Sequence, residues 1–574
     1  MAEKNSLTFF EQLATEIILE IFDYLSCNDI FYAFFYLNQR YNCILLNHYK
    51  YLNKFETPTN DFDFWQTIFS FIASQIEYLT ITTIDSFFSL NVFSNLKSLI
   101  ISSSLPIYSN ELVSIMETKQ FQKLTTFKIQ SEILNRGDST AVRGIFRAVF
   151  HQQNSLKIFE LLPQLYAYSL VNTCNYVKIQ SLILTIANIE DLMIIFDYTP
   201  NLKYLNICLY SLYFRDQTKR SNNLTKIKLK TLLLTLQNNR LHTENFLVMT
   251  NFIKQFSTSL IRLSLNLNYI ETKENHFNGT ILQKQLLLSM TQLKSFHLYA
   301  TFDKEPTDIN VLLSTFENQF WLDHHWSVGI HGKYLFTLPF HFNKMNNFID
   351  FDQVRSSDPA LLTFSSTWSY VTSINLSECI NVNSNLITQL KIKMPNLTTI
   401  ILNAELMNTT EINTTLDSIT TIHCRGEYLQ NIKHWLTNVV PNTKQLMLTY
   451  QAQSVASTSN RTVYLYKLDA YFRGQRTTTD YIHFSNIQHV EIKLITTDVD
   501  DIYKYVLRLV RELLEMCRNL KSFLLNFDQT VFFNQDMPFA GLEKMLQLLS
   551  MDRIAKKYQI KHIHNCFQFL KKTR

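Results

Sequence analysis

The chain has 574 residues, of which only 8 are glycine and 10 are proline, although glycine alone makes up about 7% of an average protein. No two glycines form a G-x-G, so the sequence lacks glycine-rich phosphate loops and the G-x-S-x-G elbow of hydrolases. The net charge, 53 − 48 = +5, is too diffuse for a typical nucleic-acid-binding face. We therefore predict no catalytic residues, no cofactor and no nucleic acid partner.

Apolar residues make up 46% of the chain and aromatic residues 13%, which is enough for a large core. Eight cysteines occur without any C-x-x-C spacing, and the first residues do not have the charged-then-apolar order of a signal peptide. No apolar run reaches the 18 or more residues that span a bilayer. These features predict a protein with no membrane partner, located in the cytoplasm, the nucleus or both.

Residues 9–46 have the apolar spacing of short helices. One apolar stripe predicts the first helix and consists of Ile17, Ile18, Ile21, Phe22 and Leu25. Ser26 and Asp29 have the spacing of a capping box, which predicts a second helix, and a third follows around Tyr41. Three helices of about ten residues are too small to be stable alone, so part of their apolar surface is expected to bind a partner.

This segment resembles the F-box family. The likeness rests on Leu-Ala-Thr-Glu at 13–16, the Ile/Leu-rich run through Tyr24-Leu25-Ser26, the Asp29-Ile30 pair and the later residues 37–41. The sequence departs from the family at Ala14, usually proline, and at Tyr41, commonly tryptophan. The resemblance implies that a Skp-type adaptor of a cullin-based ubiquitin ligase binds these helices, at the matching positions Leu13, Glu16, Ile17, Ile21, Phe22, Leu25 and Asp29. The alternative is a simple helical cap.

An apolar-x-x-apolar-x-apolar pattern recurs from residue 76 onward. Copies begin at 76, 96, 124, 156, 179, 202, 229, 260 and 293, and again at 371, 397, 419, 443, about 490, and 520. The bare pattern is common by chance, but its fillers repeat: Lys-Ser/Thr/Tyr or Thr-Thr stands between the apolar residues in many copies, and Asn precedes several. The spacing, 20 to 33 residues in the first series, suits one strand and one helix per repeat.

The repeat resembles a divergent leucine-rich repeat. This likeness implies an α/β solenoid, or horseshoe, with outer helices that we place at 108–121, 189–198 and 503–517. Residues alternate across a strand, so the fillers are expected on one exposed face. From that face we select as target-binding residues Lys128, Tyr204, Arg262, His297, Tyr299, Arg425 and Glu491. Tyr and Arg are favoured anchors of protein interfaces.

The repeat stops between Ala300 and Tyr370. Alternating apolar residues and the His331-Gly332 pair predict a β-hairpin there. The histidines at 324, 325, 331 and 341, with Asp323, raise the alternative of a metal site. Adjacent strand histidines point to opposite faces, however, and no H-E-x-x-H occurs, so we predict no metal.

Together these features predict an F-box-like helical domain (1–50), a linker (51–72), a first repeat segment (73–300), a β-rich insertion (301–369), a second repeat segment (370–530) and a C-terminal helical cap with a basic tail (531–574). The predicted function is that of a non-enzymatic substrate receptor. It would bind the adaptor at one end and an unknown target protein on the solenoid, for ubiquitination and protein degradation. The alternative is a leucine-rich-repeat interaction scaffold with no link to ubiquitin.

Overall fold

The computed structural model is a mixed α/β protein with large, mainly parallel sheets, and no sheet among its described strands closes into a barrel. It divides into two compact units, residues 1–304 and 305–574. The structure describes residues 12–25, 27–47, 54–57, 62–82, 89–102, 109–130, 139–151, 153–161, 177–212, 227–237, 241–272, 277–346, 351–362, 367–377, 379, 382–403, 412, 414–425, 435–451, 486–495, 517, 520, 522–527, 558–563 and 566–571.

The first unit combines short helices with a series of parallel strands. Its helices are α1 (Thr15–Phe22), α2 (Cys27–Phe34), α3 (Gln39–Asn47), α4 (Phe62–Ile72), α5 (Ser109–Met116), α6 (Lys119–Lys123), α7 (Ser139–Val149), α8 (Ile189–Tyr198), α9 (Thr243–Lys254) and α10 (Gly279–Gln285). Its strands are β1 (Lys54–Glu56), β2 (Tyr78–Ile81), β3 (Ser98–Ile101), β4 (Thr126–Ile129), β5 (Ile158–Leu161), β6 (Ser181–Asn188), β7 (Tyr204–Ser211), β8 (Thr231–Leu236), β9 (Arg262–Ile270) and β10 (Ser295–Phe302).

Strands β1 to β10 pair in chain order, each parallel to the next. From β2 onward, each strand begins two residues after the first apolar residue of a repeat copy, which confirms the strand predictions. One face of the sheet is apolar and packs against helices: Phe121 of α6 contacts Phe127 of β4, and Phe146 of α7 contacts Phe159 of β5. Polar fillers such as Thr126 and Lys128 lie on the other face because side chains alternate along a strand.

The same backbone hydrogen bonds recur at the starts of strands β3 to β10 and again in the second unit. The residue before a strand and the strand's first residue both donate their N–H groups to one carbonyl of the preceding repeat. For example, Lys203 O accepts from Lys230 N at 2.8 Å and from Thr231 N at 3.0 Å, and in the second unit Thr372 O accepts from Thr398 N at 2.9 Å and Thr399 N at 3.0 Å. This geometry satisfies the backbone groups where the chain enters the sheet.

Asparagine side chains add a second connection between neighbouring repeats. The donor is the side chain of the asparagine that directly precedes a repeat copy. The acceptor is a backbone carbonyl of the preceding repeat, two residues before the first residue of that earlier copy. The pairs are Asn95–Ser74 (2.7 Å), Asn396–Ser369 (2.9 Å), Asn442–Asp417 (3.0 Å) and Asn486–Pro441 (2.8 Å). These bonds give four of the asparagines that precede repeat copies a structural role, and we call the four donors the asparagine clasps.

The three N-terminal helices form where the apolar spacing predicts them. Phe34 of α2 packs against Phe22 of α1 and Tyr41 of α3, with ring centroids 4.9 and 5.4 Å apart. The predicted cap Ser26 lies outside the described residues. The guanidinium of Arg40 donates to the carbonyl of Leu13, which ties the start of α3 to the chain just before α1.

The second unit begins with α11 (Ile309–Ser314) and α12 (Gln319–Asp323), followed by the antiparallel strands β11 (Ser327–His331) and β12 (Tyr334–Leu338). Only Gly332 and Lys333 connect these two strands, and Gly332 has a positive φ of 52°. A glycine at the first position of a two-residue turn accepts that conformation without strain. The predicted hairpin through His331-Gly332 is therefore confirmed.

A second, nine-stranded sheet completes this unit. Its strands are β13 (Lys344–Met345), β15 (Ser373–Asn375), β16 (Thr399–Asn403), β17 (Thr421–Arg425), β18 (Gln445–Gln451), β19 (His489–Ile495), β20 (Ser522–Phe527), β21 (Tyr558–Ile563) and β22 (Cys566–Lys571). Strand β14 (Arg355–Ser356) pairs with β11 and is not part of this sheet. Helix α13 (Ser384–Lys393) lies between β15 and β16 in the chain. The strand order is β13-β15-β16-β17-β18-β19-β20-β22-β21. Strands β15 to β20 are parallel and coincide with the second series of repeat copies.

Several segments differ from the sequence prediction. Residues 51–72 were expected to be a linker, whereas they contain β1, paired with β2, and α4. Within the expected helical cap at 531–574, the described residues form the antiparallel pair β21–β22, consistent with the period-2 alternation of Phe567 and Phe569. Of the expected outer helices, α8 coincides with 189–198 and α5–α6 occupy 109–123. The expected helix at 503–517 and residues 531–557 lie outside the described residues, apart from Cys517.

Candidate functional site

Helix α1 buries one side and exposes another apolar side. Ile18 and Phe22 are fully buried in the helical bundle, whereas Ile17 is 43% exposed, Leu25, just beyond the helix, 38% and Tyr24 90%. Ile17 and half-buried Ile21 are four residues apart and lie on the same side of the helix. Tyr24 lies in the turn after α1, where its N–H donates to Ile21 O at 3.1 Å. We call Ile17, Ile21, Tyr24 and Leu25 the α1 surface.

The α1 surface is bordered by acidic residues. Glu16, Glu20 and Asp23 are exposed on or next to α1, and no Lys or Arg occurs between residues 12 and 39. An apolar patch with acidic borders suits a partner that offers an apolar cleft with basic residues at its rim.

The seven residues expected to bind an adaptor do not all lie on this surface. Glu16, Ile17, Leu25 and Asp29 are exposed, Leu13 and Ile21 are half-buried, and Phe22 is fully buried against Phe34. Phe22 therefore stabilises the bundle and has no exposed area for a partner. Tyr24 was not among the selected residues, although it directly precedes the selected Leu25.

A second candidate site, which is polar, lies on the exposed face of the first unit's sheet. Lys128 and Glu160 occupy equivalent positions on β4 and β5, and Lys128 Nζ lies 2.9 Å from Glu160 Oε2. Gln130 donates a hydrogen bond to the other carboxylate oxygen of Glu160 at 3.3 Å. The Glu160 side chain is only 9% exposed, so its charge is compensated by groups of the same face.

Tyr204 and Arg262 continue this site on β7 and β9. Burial raises the pKa of Tyr204 above its usual value, and Glu160 contributes in the same direction, while Arg262, a hydrogen bond with Asn206 and Lys128 oppose them. The phenol therefore remains protonated near neutral pH and available as a donor. Arg262 Nε is buried and has no hydrogen-bond partner among the described residues. We call Lys128, Glu160, Tyr204, Asn206 and Arg262 the polar cluster.

The remaining predicted target-binding residues are placed differently. His297 is buried, its Nε2 2.7 Å from Ser295 Oγ, and Tyr299 is only 1% exposed. Glu491 is half-buried on β19, and Arg425 lies on β17, its side chain outside the described part of the structure. Both belong to the second unit. Glu160 was not predicted, although it occupies the same repeat position as Lys128.

The histidines of the insertion make structural contacts. The His324 ring lies 4.4 Å from Phe320 and 4.5 Å from Trp326, and His341 stacks on Tyr370 at 4.8 Å. His331 is buried on β11. Within the described ranges, no group of three or more His, Cys, Asp or Glu side chains is arranged to hold a metal ion.

Neither the helices nor the comparisons with known proteins assign the chain to a class of protein. None of the helices in the described segments is long and apolar enough to cross a bilayer. No protein-family model matches the chain, and no curated protein matches it. The α1 surface and the polar cluster are therefore the observations on which a function is argued.

Proposed function

We propose that the chain is an F-box-type substrate receptor that binds a Skp-type adaptor of a cullin-based ubiquitin ligase through its α1 surface. The observation that carries this proposal is the division of α1 between a buried side and an exposed apolar side. Exposing Ile17, Tyr24 and Leu25 to water costs stability that burial against a partner would recover, roughly 25 cal/mol per Å² of apolar area. The likeness of residues 13–41 to the F-box supports the same assignment.

The proposed target site is the polar cluster on a leucine-rich-repeat-like solenoid formed by the stacked repeats. Parallel strands in chain order and the recurring hydrogen bonds at their starts support such stacking. The half-buried side chains of Tyr204 and Arg262 are the cluster's interface anchors.

Aromatic packing within the first unit supports a rigid connection between these two sites. Phe31 and Tyr32 of α2 contact Trp65 of α4 at centroid distances of 6.1 and 5.3 Å, and Trp65 contacts Phe55 of β1 at 5.0 Å. The bundle is thereby packed onto the first strand of the sheet. A receptor of this kind acts by proximity, since a rigid body that binds adaptor and target together raises the local concentration of target lysines.

Co-purification of the full chain with a Skp-type adaptor tests the proposal. We expect a complex at micromolar concentration and at least a tenfold loss of affinity in Ile17→Asp, because a carboxylate would be desolvated in the interface. Leu247→Asp is the matched control, since Leu247 is 51% exposed on α9, away from α1. Phe22→Asp is unsuitable because it would disrupt the bundle core.

A folded wild-type chain that does not bind the adaptor at micromolar concentration would contradict the ubiquitin role and leave the interaction scaffold as the better description. Equal losses in Ile17→Asp and Leu247→Asp would show that the adaptor does not use the α1 surface.

A further inference from the structure

A row of lysines lies at the starts of strands β5 to β10. It consists of Lys157, Lys178, Lys203, Lys228, Lys230 and Lys294, all of them exposed. We call these six residues the basic row. They are different residues from those of the polar cluster, although Tyr204 and Arg262 of the cluster directly follow the row positions 203 and 261.

Backbone hydrogen bonds fix the spacing of the row. Gln180 N donates to Lys157 O, Lys203 N to Gln180 O, Lys230 N to Lys203 O, Ile261 N to Lys230 O, and Lys294 N to Ile261 O, at 2.8 to 2.9 Å. These residues therefore stand side by side on successive strands. With about 4.8 Å between neighbouring strands, the row from Lys157 to Lys294 spans about 24 Å.

The charge of the row is not compensated locally. The segments 154–158, 177–181, 200–204, 227–231, 258–262 and 291–295 contain these six lysines and Arg262 but no Asp or Glu. In the described part of the chain, none of the six lysines forms an ion pair. At the beginning of the sheet, by contrast, Lys97 is paired with Glu77 at 2.6 Å.

The repeat architecture does not require lysine at these positions. In the second unit the same doubly accepting carbonyl is supplied by Asn343, Thr372, Thr398, Thr420 and Lys444. That row carries one lysine among otherwise uncharged residues. Since the backbone geometry is the same in both units, it does not account for the lysines of the first unit.

The residues between the lysines indicate the chemistry of the partner. Ile158 directly follows Lys157, and Ile261 occupies the row position before β9; the two side chains are 36% and 37% exposed. Tyr204, the single aromatic residue of the six segments, is half-buried. Single-stranded nucleic acid is usually bound through exposed aromatic rings that stack on bases, whereas isoleucine beside lysine complements acidic and apolar side chains of a protein.

We propose that the basic row binds an acidic, partly apolar segment of a partner protein. The segment would lie across the starts of β5 to β10, with carboxylates next to the lysines and apolar side chains against Ile158 and Ile261. This surface does not depend on the adaptor-binding role of α1 and adds a second contact area to the polar cluster.

Fluorescence anisotropy with the full chain and labelled 12-residue probes tests the proposal. The probe (Glu-Glu-Leu)4 is long enough to cover the row, since an extended residue spans about 3.3 Å. We expect it to bind more tightly than (Glu-Glu-Ser)4, which lacks apolar groups, and to weaken as salt rises because exposed charges are screened beyond about 10 Å at 0.1 M.

Two variants of equal net charge identify the binding surface. The row variant replaces Lys203, Lys230 and Lys294 by Gln, and the control replaces Lys119, Lys284 and Lys304, which are also exposed. We expect the row variant to bind (Glu-Glu-Leu)4 about tenfold more weakly, in line with the small energy of each exposed ion pair, and the control to bind within twofold of the wild type.

Three results would overturn the proposal: no binding of (Glu-Glu-Leu)4 at low salt, equal losses in the two variants, or tighter binding of a 12-residue oligothymidylate that the row variant selectively loses. The last result would assign the row to nucleic acid. Adaptor binding, measured on the same row variant, is expected to be unchanged, so failure of this proposal is distinguishable from failure of the proposed adaptor role.

Discussion

The indole Nε1 of Trp65 donates a hydrogen bond to the hydroxyl of Tyr32 at 3.0 Å, and the two rings meet edge to face with centroids 5.3 Å apart. Tyr32 belongs to the N-terminal bundle, while Trp65 is 2% exposed under the first strands of the sheet. One polar contact inside an aromatic cluster thus joins the predicted adaptor-binding region to the repeats.

Tyr32→Phe should lower the free energy of unfolding by about 1 kcal/mol, because the buried indole N–H loses this acceptor. Urea unfolding followed by tryptophan fluorescence measures the change. Tyr24→Phe is the control: it removes the hydroxyl of a side chain that is 90% exposed and should leave the midpoint unchanged. Equal effects in the two variants would show that the Trp65–Tyr32 bond adds nothing to stability.

The asparagine clasps predict that equivalent asparagines differ in importance. Asn95→Ala should lower the free energy of unfolding by about 1 kcal/mol, since it removes the bond to Ser74. Asn201 occupies the same position before its repeat and is exposed with no such bond, so Asn201→Ala is the matched control and should have little effect. Chemical denaturation of both variants would decide; a larger loss in Asn201→Ala contradicts the clasp.

Replacing Ala14 by the proline that is usual in the F-box family should stabilise the chain. Ala14 precedes α1 with φ of −59° and no side-chain cap, and proline fixes φ near about −65°. Lower entropy of the unfolded chain should add roughly 0.4–1 kcal/mol. Thermal unfolding measures this gain. Ala33→Pro, inside α2, is expected to destabilise the chain, and destabilisation by Ala14→Pro would mean that the start of α1 does not accept a proline ring.

Buried thiols predict a loss of stability at alkaline pH. Burial raises the pKa of Cys424 from 9.0 to about 12. Between these values the unfolded chain releases the thiol proton and the folded chain retains it, so the free energy of unfolding falls as pH rises above about 9. Cys424→Ala should show a shallower decline between pH 8 and pH 10, by about 1 kcal/mol.

Urea midpoints at both pH values test this expectation, with Cys43→Ala as the control because Cys43 is exposed. A decline in Cys424→Ala that is as steep as in the wild type would contradict a protonated, buried Cys424 thiol as a source of alkaline instability.

The strands could be predicted from sequence because each repeat copy carries three apolar residues that the fold buries together. Leu205 and Ile207, for example, are both fully buried. Other features depended on tertiary contacts. Strand β1 has only three residues and exists because it pairs with β2, and Tyr299 has the position of an exposed filler, yet 1% of it is exposed.

The residues of the candidate sites could be predicted only in part, because their exposure and pairing also depend on tertiary contacts. Ile17 and Leu25 followed from helical spacing, but the buried state of Phe22 follows from the place of α2, whose Phe34 covers it. The Lys128–Glu160 pair depends on the register between β4 and β5, and register cannot be read from either strand alone. The basic row depends on which strands are neighbours, and the hydrogen bonds between their first residues determine that order.

Each of the strands β3 to β10 begins where one carbonyl of the preceding repeat accepts two N–H groups, so the alignment of a strand with its neighbour does not depend on the length of the repeat. Because Lys203 O holds both Lys230 N and Thr231 N, the next strand begins at a fixed position however many residues precede it. Copies spaced 20 residues apart and copies spaced 33 apart therefore present their side chains in the same rows. A longer or shorter segment between two strands therefore leaves the alignment of surface residues across the sheet unchanged.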